Sequence, residues 1–304
     1  MIAAARHFHA TFLSGWWRWP REHFRVLVGR DSARMHPLRA PFGSYYADPF
    51  PWVHGGKTWL FLEEFRYSEN RGRLVALPLD DHLQPAGPVL PLNLPPGSHR
   101  SYPLIFPVAD ELLLLPETGA QGTVDLYTCE RFPDRWSHRC RLLSGLDAAD
   151  PTPLHHAGRW WLFVAERARP TDGGHRSLAI YSAAELFQSR WEPHPVNARR
   201  LYAGSAFSFG RPAGPFVPSP AGGWLRPMQS SRRYYGESAQ WMEIAALTRT
   251  DFREQPFTGT HPLVELAGSL SPHHLSTAGG IVACDVRDRY RIEVAAPRAA
   301  GAAE

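Results

Sequence analysis

Four segments of this 304-residue chain share one pattern, and this repeat constrains the fold more than any other feature. The segments are residues 59–64, 112–117, 161–166 and 224–229. Each begins with an apolar run and ends, at its sixth place, on a glutamate or a glutamine: Glu64, Glu117, Glu166 and Gln229. The copies recur at roughly 50 to 60 residues, which is the size of one propeller blade. A β-sandwich, or two β-domains, is the alternative, but neither gives a reason for self-similarity at this length.

An earlier strand with a matching start precedes three of these copies. The matching starts are Ala47-Asp48-Pro49, Ser101-Tyr102-Pro103 and Ala149-Asp150-Pro151. A third strand follows in at least two units, at 124–128 and 178–181, and each is succeeded by a tryptophan-bearing segment. Each unit is therefore a series of three strands joined by turns, with a capping aromatic residue.

The remaining segments complete a ring. A fifth, degraded unit runs from 269–274 into 280–285, and lone strands at 24–29 and 290–294 could each supply the missing outer strand. We predict an all-β fold, a single five-bladed β-propeller over residues 24–295. Residues 1–23 are predicted to form an N-terminal extension and residues 296–304 a disordered tail.

Composition excludes other classes of protein. With 43% hydrophobic and 20% charged residues, the chain is too apolar for a disordered protein. No apolar run approaches the roughly 18 residues of a membrane span, and residues 1–19 lack the pattern of a signal peptide. Three cysteines without metal-ligand spacing indicate a reducing compartment, so we expect a cytoplasmic location and neither metal nor cofactor. The net charge of +4 is spread along the chain, so we expect no nucleic-acid partner.

The repeat brings polar residues together at one mouth of the propeller. Antiparallel pairing places the start of the first strand beside the end of the second. The predicted ring consists of Asp48, Glu64, Tyr102, Glu117, Asp150, Glu166, Arg226 and Gln229. Converging carboxylates suit glycoside hydrolysis, which needs a base or nucleophile and a protonated acid. The alternative for the glutamates is a structural role as acceptors for backbone N–H groups of a neighbouring blade.

Arginine and aromatic side chains add candidates for ligand binding. Arg211 and Arg226 are each able to hold an anionic sugar or phosphate through a bidentate contact, or to form an internal ion pair instead. Tyr235 belongs to a group of aromatic residues that pack in the core or stack on sugar rings. The pair His273-His274 is interpreted as ordinary turn histidines.

Several short motifs occur together in one order: residues 46–50 with 59–65, 101–103 with 116–118, 126–127, 132–136, and 225–229 with 235–236. Together they resemble the N-terminal domain of the plant glucosamine inositolphosphorylceramide transferase family, a domain that also occurs in bacterial proteins. The resemblance covers roughly residues 24–255. More distantly the chain is similar to the five-bladed furanosidase and mannoside phosphorylase propellers. The resemblance implies a carbohydrate-active or carbohydrate-binding propeller, and we expect a bacterial protein.

The resemblance also implies roles for single residues. Asp48 matches the first-blade aspartate that acts as base or nucleophile in the furanosidase group, and Asp150 matches the third-blade aspartate that tunes and orients. The fourth blade departs from that pattern, because Gln229 stands where a general-acid glutamate is expected and Glu237 follows some residues later. The acid is then Glu237, Glu117 or Glu166, or the hydrolase interpretation fails.

Two functions follow as expectations. The first is an enzyme that hydrolyses or transfers a glycosidic bond at the propeller mouth. The second is a non-catalytic glycan-binding module that assists a partner glycosyltransferase or formyltransferase. In both, the ligand is a saccharide or sugar conjugate, with an anionic group favoured by the basic balance of the chain. The expected binding residues are Glu64, Tyr102, Arg211, Arg226, Gln229 and Tyr235.

Overall fold

The computed structural model describes residues 23–31, 34–97, 99–167, 176–187, 190–203 and 209–288. Within these residues, four-stranded antiparallel sheets are arranged as the five blades of a β-propeller, which confirms the predicted fold. Residues Phe24–Arg287 form one compact unit. Residues 1–22 of the predicted extension, the lone strand at 290–294 and the predicted tail lie outside the described residues.

The strands follow the chain in blade order. The first two are β1 (His23–Gly29) and β2 (His36–Leu38). Blade 1 contains β3 (Ser44–His54), β4 (Lys57–Arg66), β5 (Arg71–Leu79) and β6 (Leu90–Pro91). Blade 2 contains β7 (Ser101–Val108), β8 (Glu111–Glu117), β9 (Thr123–Arg131) and β10 (Arg135–Ser144). Blade 3 contains β11 (Asp147–His156), β12 (Arg159–Arg167), β13 (Ser177–Ala183) and β14 (Glu192–Pro193). Blade 4 contains β15 (Val217–Pro218), β16 (Trp224–Gln229), β17 (Ala239–Leu247) and β18 (Phe252–Pro256).

Blade 5 joins the two ends of this series. Its order is β19 (His274–Ala278), β20 (Ile281–Asp288), β1 and β2. The predicted strand at 24–29 is therefore the third strand of blade 5, with β2 at the outer edge, and the degraded fifth unit supplies the inner pair. Val26 and Val28 of β1 have no exposed surface. This strand is thus a fully built part of the ring.

The core lies between successive blades. Along β4, Leu60 and Leu62 pack in one cluster with Val26 and Val28 of blade 5, whereas Phe61 belongs to the cluster shared with blade 2. Successive side chains of a strand point to opposite faces of the sheet. One central strand therefore serves two inter-blade cores, which explains why it is apolar at consecutive positions.

One short helix, α1 (Pro262–Leu270), precedes β19. It begins with proline at its first position, and the His261 side chain accepts a hydrogen bond from the Leu263 N–H. Leu263 and Leu266 are buried in the cluster that contains Trp241 and Leu275. No helix in the described ranges combines the length and apolar character needed to cross a membrane.

Candidate functional site

Three inner strands carry the same bulge. The register of β3 with β4 passes from Ala47 opposite Glu63 to Phe50 opposite Phe61, so Asp48 and Pro49 share one partner position. β7 and β11 are interrupted in the same way at Tyr102-Pro103 and Asp150-Pro151.

The first residue of each bulge has a left-handed backbone. The φ angles of Asp48, Tyr102 and Asp150 are 48°, 52° and 51°. Such angles are unfavourable for residues other than glycine and are kept where the surrounding structure holds them, often at functional sites. The recurrent Asp/Tyr-Pro pairs of the sequence are therefore repeated strained positions around the propeller axis.

Carboxylates from one blade bind the bulge of the next. The Asp48 N–H donates to Asp285 Oδ2 at 2.8 Å, and the Tyr102 N–H donates to Asp48 Oδ2 at 3.1 Å. The Asp150 N–H donates to Glu117 Oε2 at 3.2 Å. Because a carboxylate is a strong acceptor for backbone donors, these contacts stabilise the bulges. Asp48 and Glu117 thus have the structural role that the sequence left open for the glutamates.

Two side chains of the fourth repeat converge on Asp150. Arg211 donates from Nε to Asp150 Oδ2 at 2.7 Å and from Nη2 to Asp150 Oδ1 at 2.9 Å. Its Nη2 also lies 3.4 Å from Glu117 Oε2, and Gln229 Nε2 donates to Asp150 Oδ2 at 3.1 Å. Although burial opposes ionisation, the Arg211 charge holds the pKa of Asp150 below its ordinary value. Asp150 is therefore an ionised carboxylate with both oxygens occupied.

The other carboxyl groups of the cluster behave differently. Burial raises the pKa of Asp48 to about 8, even though the nearby His273 opposes the shift. Burial and the charge of Asp150 raise the pKa of Glu117 to about 7. Burial also holds the pKa of Glu63 well above its ordinary value. Burial favours the protonated form of each of these groups, because the charged form loses its water.

Two histidines of blade 5 complete the cluster. His273 Nδ1 lies 3.3 Å from Asp285 Oδ1 and 3.7 Å from Asp48 Oδ1. Against the effect of burial, the charge of Asp285 raises the pKa of His273, whereas burial lowers the pKa of His274 to about 4. The two adjacent rings are therefore shifted in opposite directions, and His274 is neutral at neutral pH. His273 Nε2 lies 3.0 Å from the Tyr235 hydroxyl, which brings Tyr235 to the cluster.

Asp48, His273 and Asp285 offer ligand atoms within 4.8 Å of one another, a set able to hold a cation. The Asp285 carboxylate already accepts the N–H groups of Asp48 and His274 at 2.8 Å each. These hydrogen bonds and the contact with His273 Nδ1 already supply partners to the carboxylate of Asp285.

The structure brings together six of the predicted residues: Asp48, Tyr102, Glu117, Asp150, Arg211 and Gln229, with Tyr235 beside them through His273. It places Glu64 and Glu166 elsewhere. The residue paired with the position just before the bulge is Glu63 opposite Ala47 in blade 1, Glu117 opposite Ser101 in blade 2 and Ala165 opposite Ala149 in blade 3. The predicted glutamate column is therefore displaced by one residue in blades 1 and 3.

This displacement moves Glu64 and Glu166 to the other face of their strands. Glu64 Oε2 accepts from Arg73 Nε at 2.6 Å and lies 3.5 Å from Arg66 Nε. Glu166 Oε2 accepts from the Tyr181 hydroxyl at 2.8 Å. Both glutamates therefore interact with neighbours within their own blades.

Arg226 and Glu237 are also held away from the central cluster. The fully buried Arg226 donates to Glu254 from Nε at 2.9 Å and from Nη2 at 2.6 Å, which is the internal ion pair that the sequence left open. Glu237 accepts the N–H groups of Arg232 and Arg233 and the Arg233 Nε–H. These bonds hold the pKa of Glu237 below its ordinary value, so this side chain is ionised and has no proton to donate as a general acid.

Sequence reasoning missed four members of the cluster: Glu63, His273, His274 and Asp285. The doubled Glu63-Glu64 was the available signal in blade 1, but only the bulge decides which of the two faces the axis. His273-His274 was interpreted as a turn, whereas it opens the inner strand of blade 5 and is fully buried or nearly so.

Comparison with known proteins identifies the family. Residues 35–261 match the family described as glucosamine inositolphosphorylceramide transferase 1, N-terminal. The chain belongs to this family. Its relatives include glucosamine inositolphosphorylceramide transferase 1 of Oryza sativa subsp. indica, 29% identical over 215 residues, and that of Arabidopsis thaliana, 27% identical over 212 residues.

The matched segments cover 70% of this chain and 28% of the rice protein, and 69% of this chain and 27% of the Arabidopsis protein. The chain thus spans little more than a quarter of these transferases. Both relatives are plant proteins, so they lend no support to the expected bacterial origin or cytoplasmic location.

Solved structures confirm the propeller fold. A family-43 β-1,3-galactosidase with galactodeoxynojirimycin matches with a TM-score of 0.55 at 9% identity, covering 79% of this chain and 87% of that chain. A family-62 hydrolase in complex with xylotriose matches with a TM-score of 0.53 at 13% identity, covering 71% of this chain and 69% of that chain. A family-117 glycoside hydrolase of Zobellia galactanivorans gives 0.51 at 11% identity, covering 77% and 74%. At these identities the likeness shows the fold alone.

Proposed function

We propose that this propeller is a non-catalytic module that binds a saccharide or sugar conjugate and assists a partner glycosyltransferase. The observation that carries the proposal is the contact of Arg211 and Gln229 with Asp150. Both oxygens of this carboxylate are occupied by internal donors, and an amide stands where the related hydrolase pattern needs an acid. The relatives are transferases by name, and they support the partner because this chain spans only a part of their length.

Hydrolysis of a glycosidic bond needs an ionised base or nucleophile beside a protonated acid. The expected base, Asp48, has its pKa raised to about 8 by burial and therefore favours the protonated form at neutral pH. Of the three expected acids, Glu166 and Glu237 bind within their own blades or loops. Of the expected acids only Glu117 lies in the cluster, and at neutral pH Asp48 does not supply the ionised base that hydrolysis needs beside it.

The same cluster is suited to binding. Buried hydroxyl, amide, imidazole and carboxyl groups supply both donors and acceptors, which match the hydroxyl groups of a sugar. Tyr235 adds a ring that can stack on a pyranose or furanose face. Arg211 lies against this ring, with its Cζ atom 5.6 Å from the ring centre, so the stacking surface is held in place.

One observation favours the enzyme as a second candidate. Glu117, with a pKa raised to about 7, has the protonation behaviour of a general acid and lies in the same cluster as Asp48. In this version Glu117 donates the proton and Asp48 acts once it is ionised, so turnover would be greatest between about pH 7 and pH 8, where part of Asp48 is ionised and part of Glu117 keeps its proton.

The experiment follows binding and turnover together. Purified wild type, Asp48→Asn and the control Arg253→Gln, at an exposed ion pair, are titrated by calorimetry with furanosides, mannosides, uronate- and glucosamine-containing oligosaccharides and nucleotide sugars. Each mixture is then analysed by mass spectrometry for released or transferred sugar. Saturable binding without product in all three proteins supports the module. Product formation by wild type and Arg253→Gln, lost in Asp48→Asn, would overturn it in favour of the enzyme.

A further inference from the structure

A groove beside blades 1 and 2 collects arginine side chains. Its volume is about 350 Å³, and its lining includes Arg71 and Arg73 of β5 together with Arg100, which directly precedes β7. Leu92 and Leu94 form part of its apolar wall. None of these residues belongs to the central cluster described above.

The carboxylates around this groove do not balance its arginines. Glu69 pairs with Arg71 at 3.0 Å and with Arg66 at 3.1 Å, and Glu64 pairs with Arg73 at 2.6 Å. Arg100 forms no ion pair with any carboxylate of the described residues. Four guanidinium groups therefore share two carboxylates, which leaves two positive charges uncompensated.

Arg100 makes this imbalance costly. The residue is 8% exposed, and its Nε atom has no hydrogen-bond partner among the described residues. Its guanidinium lies near Tyr127, where it opposes the rise in the pKa of that hydroxyl caused by burial. A buried cation without a counter-charge is strongly unfavourable unless a partner is supplied. The groove is where such a partner can reach it, because Arg100 forms part of the groove lining.

We propose that this groove binds a phosphate group, with Arg100 as its buried anchor and Arg71 as the exposed contact. A phosphate ester carries about −1.5 to −2 charges near neutral pH, which matches the two uncompensated positive charges better than one carboxylate does. The planar fork of a guanidinium fits two phosphate oxygens at once. The apolar wall then contacts the group that carries the phosphate.

The groove lies next to the central cluster. Gly72 lines the groove, and a methyl group on this residue would collide with Glu63 Oε1 and with the Arg100 carbonyl oxygen. His99 accepts the Gly72 N–H at Nδ1 and lies 3.7 Å from Glu63 Oε1. A phosphate in the groove is thus separated from a carboxyl group of the central cluster by one residue. The phosphate site does not depend on the proposed saccharide-binding function.

The test measures binding of three probes: inorganic phosphate, a hexose phosphate, and vesicles that contain phosphatidylinositol in phosphatidylcholine. Wild type is compared with Arg100→Gln, Arg71→Gln and the control Arg39→Gln, at an exposed arginine outside the groove. We expect at least a tenfold loss of affinity in Arg100→Gln, a smaller loss in Arg71→Gln, and none in Arg39→Gln. Binding of the soluble probes or of the vesicles supports the site and identifies the source of the phosphate. No binding of any probe, or equal binding by all four proteins, overturns the proposal.

A second measurement guards against misfolding of Arg100→Gln. In phosphate-free buffer we expect this variant to unfold at the same temperature as wild type or higher, since an uncompensated charge is removed. Hexose phosphate should then raise the unfolding temperature of wild type and Arg39→Gln but not that of Arg100→Gln. If Arg100→Gln unfolds at a lower temperature and phosphate leaves wild type unchanged, Arg100 has a purely structural role and the proposal is wrong.

Discussion

At the scale of single residues, the contact between Arg211 and Asp150 determines the chemistry of the centre. Asp150 is 2% exposed, and Arg211 supplies the only described positive charge that bonds both of its oxygens. A buried ion pair is costly to break from one side, because the remaining charge keeps its desolvation penalty without its partner. The stability of the propeller therefore depends on the same Arg211 guanidinium that occupies the centre of the candidate site.

We expect Arg211→Gln to lower the free energy of unfolding by about 3 kcal/mol at pH 7. The loss should shrink below about pH 4, where Asp150 gains a proton in the unfolded chain and its depressed pKa no longer contributes stability. Urea unfolding at pH 7 and at about pH 3 measures both values.

The matched control for this variant is Arg253→Gln, which removes the same group from an ion pair whose partners are 69% and 50% exposed. We expect a change of about 0 to 1 kcal/mol there. Equal losses in the two variants would contradict a special role for the buried pair.

Asp48 gives stability a dependence on pH. Its pKa is raised in the folded protein from an ordinary 3.8 to about 8, so folding favours its proton in this window. The unfolded chain binds fewer protons there, and stability must fall as pH rises towards 8. We expect Asp48→Asn to become more stable relative to wild type between pH 5 and pH 8, measured by urea unfolding. Asp251→Asn, at an exposed carboxylate, is the matched control, and a difference that stays constant for Asp48→Asn would contradict the prediction.

The residues of the centre were only partly accessible to sequence analysis. Asp48 and Asp150 were predicted because Asp-Pro recurs at equivalent strand starts. Arg211 was predicted as a binding residue, but its partner could not be derived, since that contact joins residues 61 positions apart. His273 and Asp285 were missed because burial, rather than residue type, distinguishes them from turn residues.

At the scale of strands, the bulge decides which side chains reach the axis. Blade 1 shows this most clearly: the two residues Asp48 and Pro49 share one partner position, so Glu63 rather than Glu64 faces the centre. A sequence repeat reveals the spacing of strands but not a bulge within one of them. A strand with the extra residue and a strand without it have the same apolar pattern. The strands were therefore predictable, and the glutamate column was not.

Gly72 of β5 lies where the side chain of Glu63, turned towards the centre by the bulge, needs space. Glu63 and the Arg100 backbone occupy the space where a side chain at residue 72 would lie. We expect Gly72→Ala to lower the free energy of unfolding by about 1 to 3 kcal/mol, because the neighbouring groups must move. Thermal or urea unfolding measures the change.

Gly268→Ala provides a control of opposite sign. This glycine lies on the exposed face of α1, and a methyl group there meets nothing within 4 Å. Alanine should stabilise the helix by about 0.5 to 1 kcal/mol. If Gly268→Ala lowers the free energy of unfolding as Gly72→Ala does, replacement of glycine itself, rather than crowding of Glu63, causes the loss.

At the scale of the whole molecule, closure of the ring depends on β1. This strand lies between β2 and β20, and its valines belong to the same core cluster as Leu60 and Leu62 of β4. The sequence predicted this closure from a lone strand of the right length, whereas α1 was not predicted as an element. The blade repeat predicts the order of the strands, but it does not predict segments inserted between blades, such as α1.

We expect the amides of residues 24–29 to exchange with deuterium as slowly as those of residues 59–64, because both segments open only when the whole propeller unfolds. Hydrogen exchange followed by mass spectrometry measures both segments in one sample. The exposed turn at residues 67–70 should exchange much faster and serves as the reference. Fast exchange confined to 24–29 would show that blade 5 opens separately.

The placement of β1 beside β20 also affects synthesis. A ribosome releases β1 and β2 while the strands that will pair with them are still to be translated. Until β20 emerges, one edge of β1 is unpaired, and unpaired strand edges associate with other chains. The nascent propeller therefore remains an open arc of blades while blades 1 to 4 are translated, and the ring closes only once β20 becomes available.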